Sequence, residues 1–171
     1  MLEPIKEKYA MYLPLEYPFL SSTEVDKFED NIIKLLQNEE KINVYIKEAL
    51  IKSAELLPGE DKNIYVMPLR PEDRFVVEEM EGVADITYGE NTIFIQIDTS
   101  YNEKLLKYTV AHEYHHAINT QLNGDMANYS ILHSITSEGK ANSFATIVYP
   151  DINAPWTEPY QKNPRKRCSR V

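Results

Sequence analysis

The sequence predicts a single α+β domain, with helices first, then a group of strands, then further helices. Apolar residues recur at helical spacing within residues 20–58 and again within residues 102–148. Between them, residues 63–98 contain short runs of β-branched and aromatic residues bounded by turn-forming residues. Helices and strands segregated along the chain in this way are typical of α+β domains.

Two helices are predicted in the N-terminal part of the chain. Before the first, Ser21-x-x-Glu24 fits a capping box, and apolar residues from Val25 onward follow at helical spacing. The second helix covers INVYIKEALIKSAELL, and Pro58-Gly59 is predicted to end it.

The middle of the chain predicts a small sheet. NIYVMP, which begins at Asn63, is one predicted strand. VADITYGENTIFIQID predicts two more strands, joined by a hairpin turn at the sequence YGEN.

The last part of the domain is predicted to be helical. One helix runs from about Asn102 to Leu122 and another from roughly Ser130 to Val148, with NGDMAN as the turn between them. Because no internal repeat or linker interrupts the chain, residues 1–160 are predicted to form one domain, followed by a tail at residues 161–171.

Composition excludes several classes of protein. The chain has 171 residues, 43% of them hydrophobic, as in an ordinary globular domain. No apolar run approaches the roughly 18 residues that a membrane span needs. The N-terminus has early charges and prolines and no continuous apolar core, so we expect no signal peptide and a cytoplasmic protein. The single cysteine, Cys168, excludes both an intramolecular disulfide and a cysteine metal cluster.

Charge is distributed unevenly along the chain. Five of the 18 basic residues and none of the 27 acidic residues lie in residues 161–171. An acidic domain argues against nucleic acid as the main partner. The basic tail is predicted to be a disordered, solvated end, with an interaction tail and a non-native C-terminus as alternatives. Nothing in the sequence indicates the oligomeric state.

The stretch YTVAHEYHHAINTQL contains the pattern H-E-x-x-H. Because residues four apart share one face of a helix, His112 and His116 can present two imidazole nitrogens to one zinc ion. His115 points to another side and is a poor third ligand. Glu113 flanks the histidine face, where it can reach a metal-bound water. The alternative is a solvated polar patch on an ordinary helix.

The rest of this helix favours a cleft over the histidines. Its apolar residues cluster on the side opposite His112 and His116, so that one face is expected to pack into the core while the other faces a cleft. The apolar residues are Leu106, Val110, Tyr114, Ala117 and Ile118.

Glu138 is the candidate third ligand. Its helical face also holds Ile131, Ile135, Ala141 and Ala145, and a carboxylate inside an apolar stripe is costly unless it is paired or coordinated. The alternative is that the helix begins only at residues 134–137, which would make Glu138 a first-turn acid that interacts with the helix dipole.

Two other polar residues lie on the same predicted helix. Asn142, one turn beyond Glu138, is expected to hydrogen-bond a ligand imidazole. His133, near the helix start, is interpreted as a structural or exposed histidine rather than a ligand.

KYTVAHEYHHAI followed by SEGKANSFA resembles the bacterial predicted zinc-dependent proteases of uncharacterised specificity and, more broadly, the glutamate-type zincins (gluzincins). The likeness extends back through NIYVMP and forward to APWTEPY, over roughly residues 60–160. The resemblance implies zinc bound by His112, His116 and Glu138, with Glu113 as the general base. It also implies a zincin-like core, in which a small sheet lies over the active-site helix.

The chain departs from that family pattern in two respects. The glutamate motif is commonly EGLAE, whereas here Lys140 and Asn142 replace its leucine and its final glutamate. Members of such families commonly continue with further helices, so we expect a C-terminally truncated member. The residue that stabilises the oxyanion is Tyr149, Tyr160 or absent.

The predicted function is therefore hydrolysis of peptide bonds by a zinc-activated water, with glutamate as the general base. Peptide or protein is favoured as the substrate by the resemblance alone. One alternative is a truncated or degenerate zincin that binds zinc and a partner without catalysis. The other is a metal-free, acidic interaction domain.

Overall fold

A computed structural model describes residues 22–124 and 130–157. Within these ranges five helices and a three-stranded sheet form a mixed α+β arrangement, which confirms the predicted class. The elements are α1 (Val25–Gln37), α2 (Glu39–Leu56), β1 (Asn63–Pro68), α3 (Arg74–Glu79), β2 (Val83–Tyr88), β3 (Thr92–Ile97), α4 (Glu103–Asn123) and α5 (Ile131–Val148).

The sheet has the strand order β1-β3-β2. β3 is central, runs parallel to β1 and antiparallel to β2, and buries four apolar side chains. The predicted hairpin between β2 and β3 is confirmed, with Gly89 in its turn at a φ of 67°, a conformation that glycine adopts readily. β2 is consequently an edge strand, on the side of the sheet away from β1.

Two features of the first half differ from the predictions. α3 was not predicted, because six residues with no buried side chain carry almost no periodic signal. The predicted capping box is wrong, because α1 begins at Val25 with Glu24 itself at the N-cap and without a side-chain cap. Ser21 lies outside the described residues. Near this helix start, Thr23 instead donates its backbone N–H to the carboxylate of Glu72.

α4 is enclosed by the rest of the fold. It packs against β2, β3, α2 and α5. Asn102 caps its start, since the side-chain oxygen accepts from the N–H groups of Lys104 and Leu105. The expectation that the apolar side of this helix packs into the core is confirmed, because Leu106, Val110 and Ile118 are buried. The histidine side lines a cleft, as predicted, although His112 is only 6% exposed.

α5 begins at Ile131, where Ser130 Oγ accepts from the N–H of His133. A helix start at residues 134–137 is therefore wrong, and Glu138 lies about two turns inside the helix. The predicted apolar stripe is buried only in its second part. Ala141 and Ala145 are fully buried, whereas Ile131 and Ile135 are 82% and 63% exposed.

Several predictions concern residues outside the described ranges. They include most of the predicted NGDMAN turn, the domain boundary at residue 160, the basic tail and Tyr160. Among the described helices, none combines the length and the apolar character that crossing a bilayer requires.

Candidate metal centre

His112 and His116 lie one turn apart on α4 and point to the same place. Their Nε2 atoms are 3.1 Å apart. Two neutral imidazole lone pairs repel each other at this distance unless a proton or a cation lies between them. His112, Glu113 and His116 each offer a potential ligand atom, and these atoms all lie within 4.8 Å of one another.

The third histidine of the motif faces elsewhere. The His115 ring packs against the ring of Phe144, with 5.6 Å between the centroids. Its Nδ1 atom is buried and has no hydrogen-bond partner in the part of the chain that the structure describes. Burial lowers the pKa of His115 to about 4, with the His116 charge as the next cause. These contacts agree with the expectation that His115 is a poor ligand.

Glu138 reaches across from α5 to both histidines. Its Oε2 atom is 3.2 Å from His112 Nε2, and its Oε1 atom is 3.3 Å from His116 Nε2. Hydrogen bonds from the two imidazoles hold the pKa of the Glu138 carboxyl far below its usual value. Its side chain is nevertheless 60% exposed, so this third group stands at the mouth of the site.

These separations fit a tetrahedral zinc ion. With zinc–nitrogen and zinc–oxygen bonds of about 2.0–2.2 Å, two ligand atoms of a tetrahedron lie roughly 3.3–3.5 Å apart. The two Nε2 atoms are 3.1 Å apart, and each of them lies 3.2–3.3 Å from a different oxygen of Glu138, so each separation is close to that edge length. Two imidazole nitrogens and one carboxylate oxygen are also a donor set that zinc favours.

The outer nitrogen of each histidine has a polar partner. His112 Nδ1 lies 3.1 Å from Asn142 Oδ1, so Asn142 does hydrogen-bond one of the two imidazoles of the motif. His116 Nδ1 lies 3.3 Å from Ser137 Oγ. Partners of this kind orient an imidazole and decide which nitrogen carries the proton.

Glu113 is buried beside the histidines but is held by the sheet. Thr87 Oγ1 donates to its Oε2 atom at 2.7 Å. The other oxygen, Oε1, lies 3.6 Å from His112 Nε2 and faces the cluster. Burial raises the pKa of Glu113 well above its usual value, and the nearby charge of Asp85 raises it further. A buried carboxylate with an elevated proton affinity is suited to accept a proton.

These groups line a cleft of about 260 Å³. α4 supplies its floor, β2 supplies one wall, and α5 supplies the other. Asp85 lies on the β2 wall, and burial raises the pKa of its carboxyl. The cleft therefore holds three carboxylates and two imidazoles, a strongly polar site.

Four residues around the centre were not predicted from the sequence. Asp85 and Thr87 are two apart on β2, so the strand alternation places them on one face, and a polar pair there is a detectable signal. Ser137 and Trp156 left no such signal, because their contacts with His116 and Asn142 depend on how distant segments pack.

The oxyanion candidate Tyr149 does not line this cleft. Its hydroxyl is buried, with no hydrogen-bond partner among the described residues, and burial raises the pKa of Tyr149 to about 12. The Lys52 ammonium lies over its ring, 4.9 Å from the centroid. Tyr149 thus belongs to the apolar core at the end of α5.

The fold and the cleft together define an α+β protein with a candidate metal centre between two helices and an edge strand. Residues 42–170 match the model of the family described as Predicted Zn-dependent protease (DUF2268). This match spans most of the chain, which therefore belongs to that family. It includes most of α2 and most of the basic tail, beyond the residues on which the resemblance rested. Neither the curated proteins nor the solved structures contain a match to the chain.

Proposed function

We propose that this chain is a zinc-dependent metallopeptidase of the glutamate zincin type. His112, His116 and Glu138 would hold the zinc ion, and Glu113 would be the general base. The family supports zinc and proteolysis as a class. The packing of α4 against β2 and β3 is consistent with a zincin-like core.

One observation carries this proposal: the three ligand groups converge from two different helices. Convergence of His112 with His116 follows from helix geometry alone. Glu138 is 26 and 22 residues further along the chain, yet its two oxygens lie within 3.3 Å of the two imidazoles. Without a metal ion, this arrangement requires protons between the groups, whereas a divalent cation satisfies all three at once.

The two oxygens of Glu113 have different surroundings, which suits a general base. Thr87 holds Oε2, so the carboxylate cannot rotate freely, and Oε1 remains directed toward the cluster. Bound zinc supplies a Lewis acid that lowers the pKa of water and polarises a carbonyl group. Glu113 would take a proton from the attacking water at Oε1 and deliver it to the leaving amine.

Glu138, rather than Glu113, is proposed as the third ligand. Glu138 lies within 3.3 Å of both Nε2 atoms, whereas Glu113 Oε1 lies 3.6 Å from His112 Nε2. Glu113 also has its other oxygen engaged by Thr87. The division of roles follows from these contacts.

Zinc content tests the ligand assignment. Elemental analysis should find about one zinc per chain in the wild type and almost none after His112→Ala combined with His116→Ala. His115→Ala is the matched control, because it removes the third histidine of the motif, whose ring lies edge-on to His116 but is not one of the grouped potential ligands. Zinc content that is unchanged in the double variant would contradict the proposal.

Glu113→Gln separates binding from chemistry. The amide has nearly the same size but cannot accept the proton, so this variant should fold, retain zinc and lose about 10²–10⁴-fold in peptidase rate. Equal cleavage by wild type and variant would show that the mechanism is wrong even if the ligands are right. Zinc binding without cleavage of any peptide library would instead favour the non-catalytic zincin.

A further inference from the structure

Trp156 makes a hydrogen bond that connects it to the candidate metal centre. Its indole Nε1 lies 3.1 Å from Asn142 Oδ1, the same atom that His112 Nδ1 approaches at 3.1 Å. One amide oxygen therefore faces two ring nitrogens. An oxygen has two lone pairs and can accept from both.

The indole decides which way the Asn142 amide points. An indole nitrogen can only donate, so the atom opposite it must be an acceptor, which is the oxygen of Asn142 and not its NH₂ group. With Oδ1 fixed there, His112 Nδ1 also faces an acceptor and must carry the proton. The lone pair that His112 can offer to a metal ion then lies on Nε2, the atom that faces His116 and Glu138.

The indole of Trp156 is itself held in a fixed position. Its ring packs edge-on against the ring of Tyr108, with 6.0 Å between the centroids. The hydroxyl of Tyr108 donates at 3.0 Å to the backbone oxygen of Asn142. Tyr108 is fully buried in α4, so it holds both the indole and the asparagine against the helix that carries His112.

We propose that Trp156 is a positioning residue of the metal centre, which acts through Asn142 to keep His112 in the tautomer that offers Nε2 to the metal. This inference rests on the proposed function, because it assumes that His112 is a ligand. Such a residue is needed because the side-chain amide of Asn142 can adopt two orientations. A carboxylate at position 142 would accept from His112 in either orientation, whereas an amide turned by half a rotation presents its NH₂ group instead.

The wild-type protein itself allows the first test. In zinc-loaded protein, the nitrogen NMR shifts of His112 report which ring nitrogen carries the proton and which one binds the metal. We expect the proton on Nδ1. A proton on Nε2 would overturn the proposal, and this measurement needs no variant to fold.

Substitution of Trp156 gives the second test. Trp156→Phe keeps an aromatic ring but removes the donor, so the amide can turn and the zinc affinity should fall about 10–100-fold, the usual effect of losing such an outer partner. Affinity would be measured by competition with a chromophoric chelator. Tyr149→Phe is the control, because it alters a core aromatic residue that does not contact the site, and its affinity should equal that of the wild type.

Rescue distinguishes positioning from packing. Adding Asn142→Asp to Trp156→Phe supplies an acceptor that cannot be turned the wrong way, and it should restore most of the lost affinity. The proposal is overturned if Trp156→Phe binds zinc as tightly as the wild type, or if the aspartate fails to rescue it. If wild type binds no zinc at all, the proposed function itself fails, which is a separate result.

Discussion

The two helices that form the candidate centre differ in how firmly the fold holds them. Around His112, α4 is enclosed by the sheet and by two other helices. Around Glu138, the first half of α5 presents apolar side chains outward, and Ile131, Leu132 and Ile135 are 63–82% exposed. The side chain of His112 is 7% exposed and that of Glu138 is 60% exposed, although the two groups are in contact.

Because of this difference, residues on α4 should affect both stability and metal binding, whereas Glu138 on α5 should affect mainly metal binding. Groups on α4 occupy positions where size, hydrogen bonding and charge all affect the folded state. Glu138 stands on a segment whose burial begins only at Ala141, so its carboxylate contributes to the centre more than to the core. Substitutions in the two halves should therefore have different consequences.

The largest expected effect on stability comes from truncating a buried isoleucine in α4, compared with the same substitution at an exposed isoleucine in α5. Ile118→Ala on α4 removes a side chain that is 2% exposed and should cost about 2–5 kcal/mol of unfolding free energy. Ile135→Ala on α5 removes one that is 63% exposed and should change stability by no more than about 0.5 kcal/mol. Chemical denaturation measures both. Equal costs would show that the first half of α5 is covered in solution.

The stabilisation caused by added zinc is a second, smaller effect that should differ between the two helices. At a free zinc concentration about 100 times the Kd, binding should stabilise the wild type by about 2.7 kcal/mol, seen as a rise in melting temperature. Glu138→Gln should lose most of that rise while the zinc-free melting temperature stays near that of the wild type, because exposed ion pairs contribute at most about 1 kcal/mol.

His112→Ala is the counterpart of Glu138→Gln in the buried half. It should also lose the zinc-dependent rise, and in addition lower the zinc-free melting temperature. The substitution leaves a gap in the enclosed helix and deprives Asn142 Oδ1 of one partner. The comparison would be wrong if the two zinc-free variants melted at the same temperature.

A third prediction concerns the sheet side of the cleft. Thr87→Val keeps the shape of the side chain but leaves Glu113 Oε2 without its donor, which should cost about 1–3 kcal/mol of stability. Zinc content should not change, because Thr87 does not touch the proposed ligands. Thr87→Ser keeps the hydroxyl and is the control. A loss of zinc in the valine variant would place Glu113 among the ligands.

Local geometry explains what the sequence could predict of this centre. His112 and His116 needed only the helical repeat, and Asn142 needed only its one-turn spacing from Glu138. The hairpin between β2 and β3 followed from its turn residues. Each of these depends on residues close together in the chain.

What the sequence could not predict depends on packing between distant segments. Thr109, His112 and Glu113 are polar yet buried, and the polarity of these residues does not indicate how far the rest of the fold encloses α4. Ile135 is apolar yet exposed, so its predicted place in a buried apolar stripe is wrong. The contact of Trp156 with Asn142 joins a segment after α5 to the middle of that helix, which no periodic pattern encodes.

The smallest expected effect lies away from both halves of the centre, at the start of α1. The carboxylate of Glu72 accepts from the backbone N–H of Thr23 at 2.7 Å and from Ser22 Oγ at 2.8 Å. The backbone hydrogen bond from Thr23 is the main cause that lowers the pKa of Glu72 from 4.5 to about 2.

A carboxyl group whose pKa is lower in the folded state stabilises the fold above its unfolded pKa, and this contribution is lost as the pH falls toward the folded value. Glu72→Gln should therefore be slightly less stable than wild type near neutral pH, and the gap should narrow as the pH falls below 4.5 toward about 2. Denaturant unfolding of both proteins at several pH values measures that gap. Because Glu72 lies outside the cleft, zinc should bind equally well to both proteins. A gap that stays constant with pH would mean that the charge of Glu72 does not hold the start of α1.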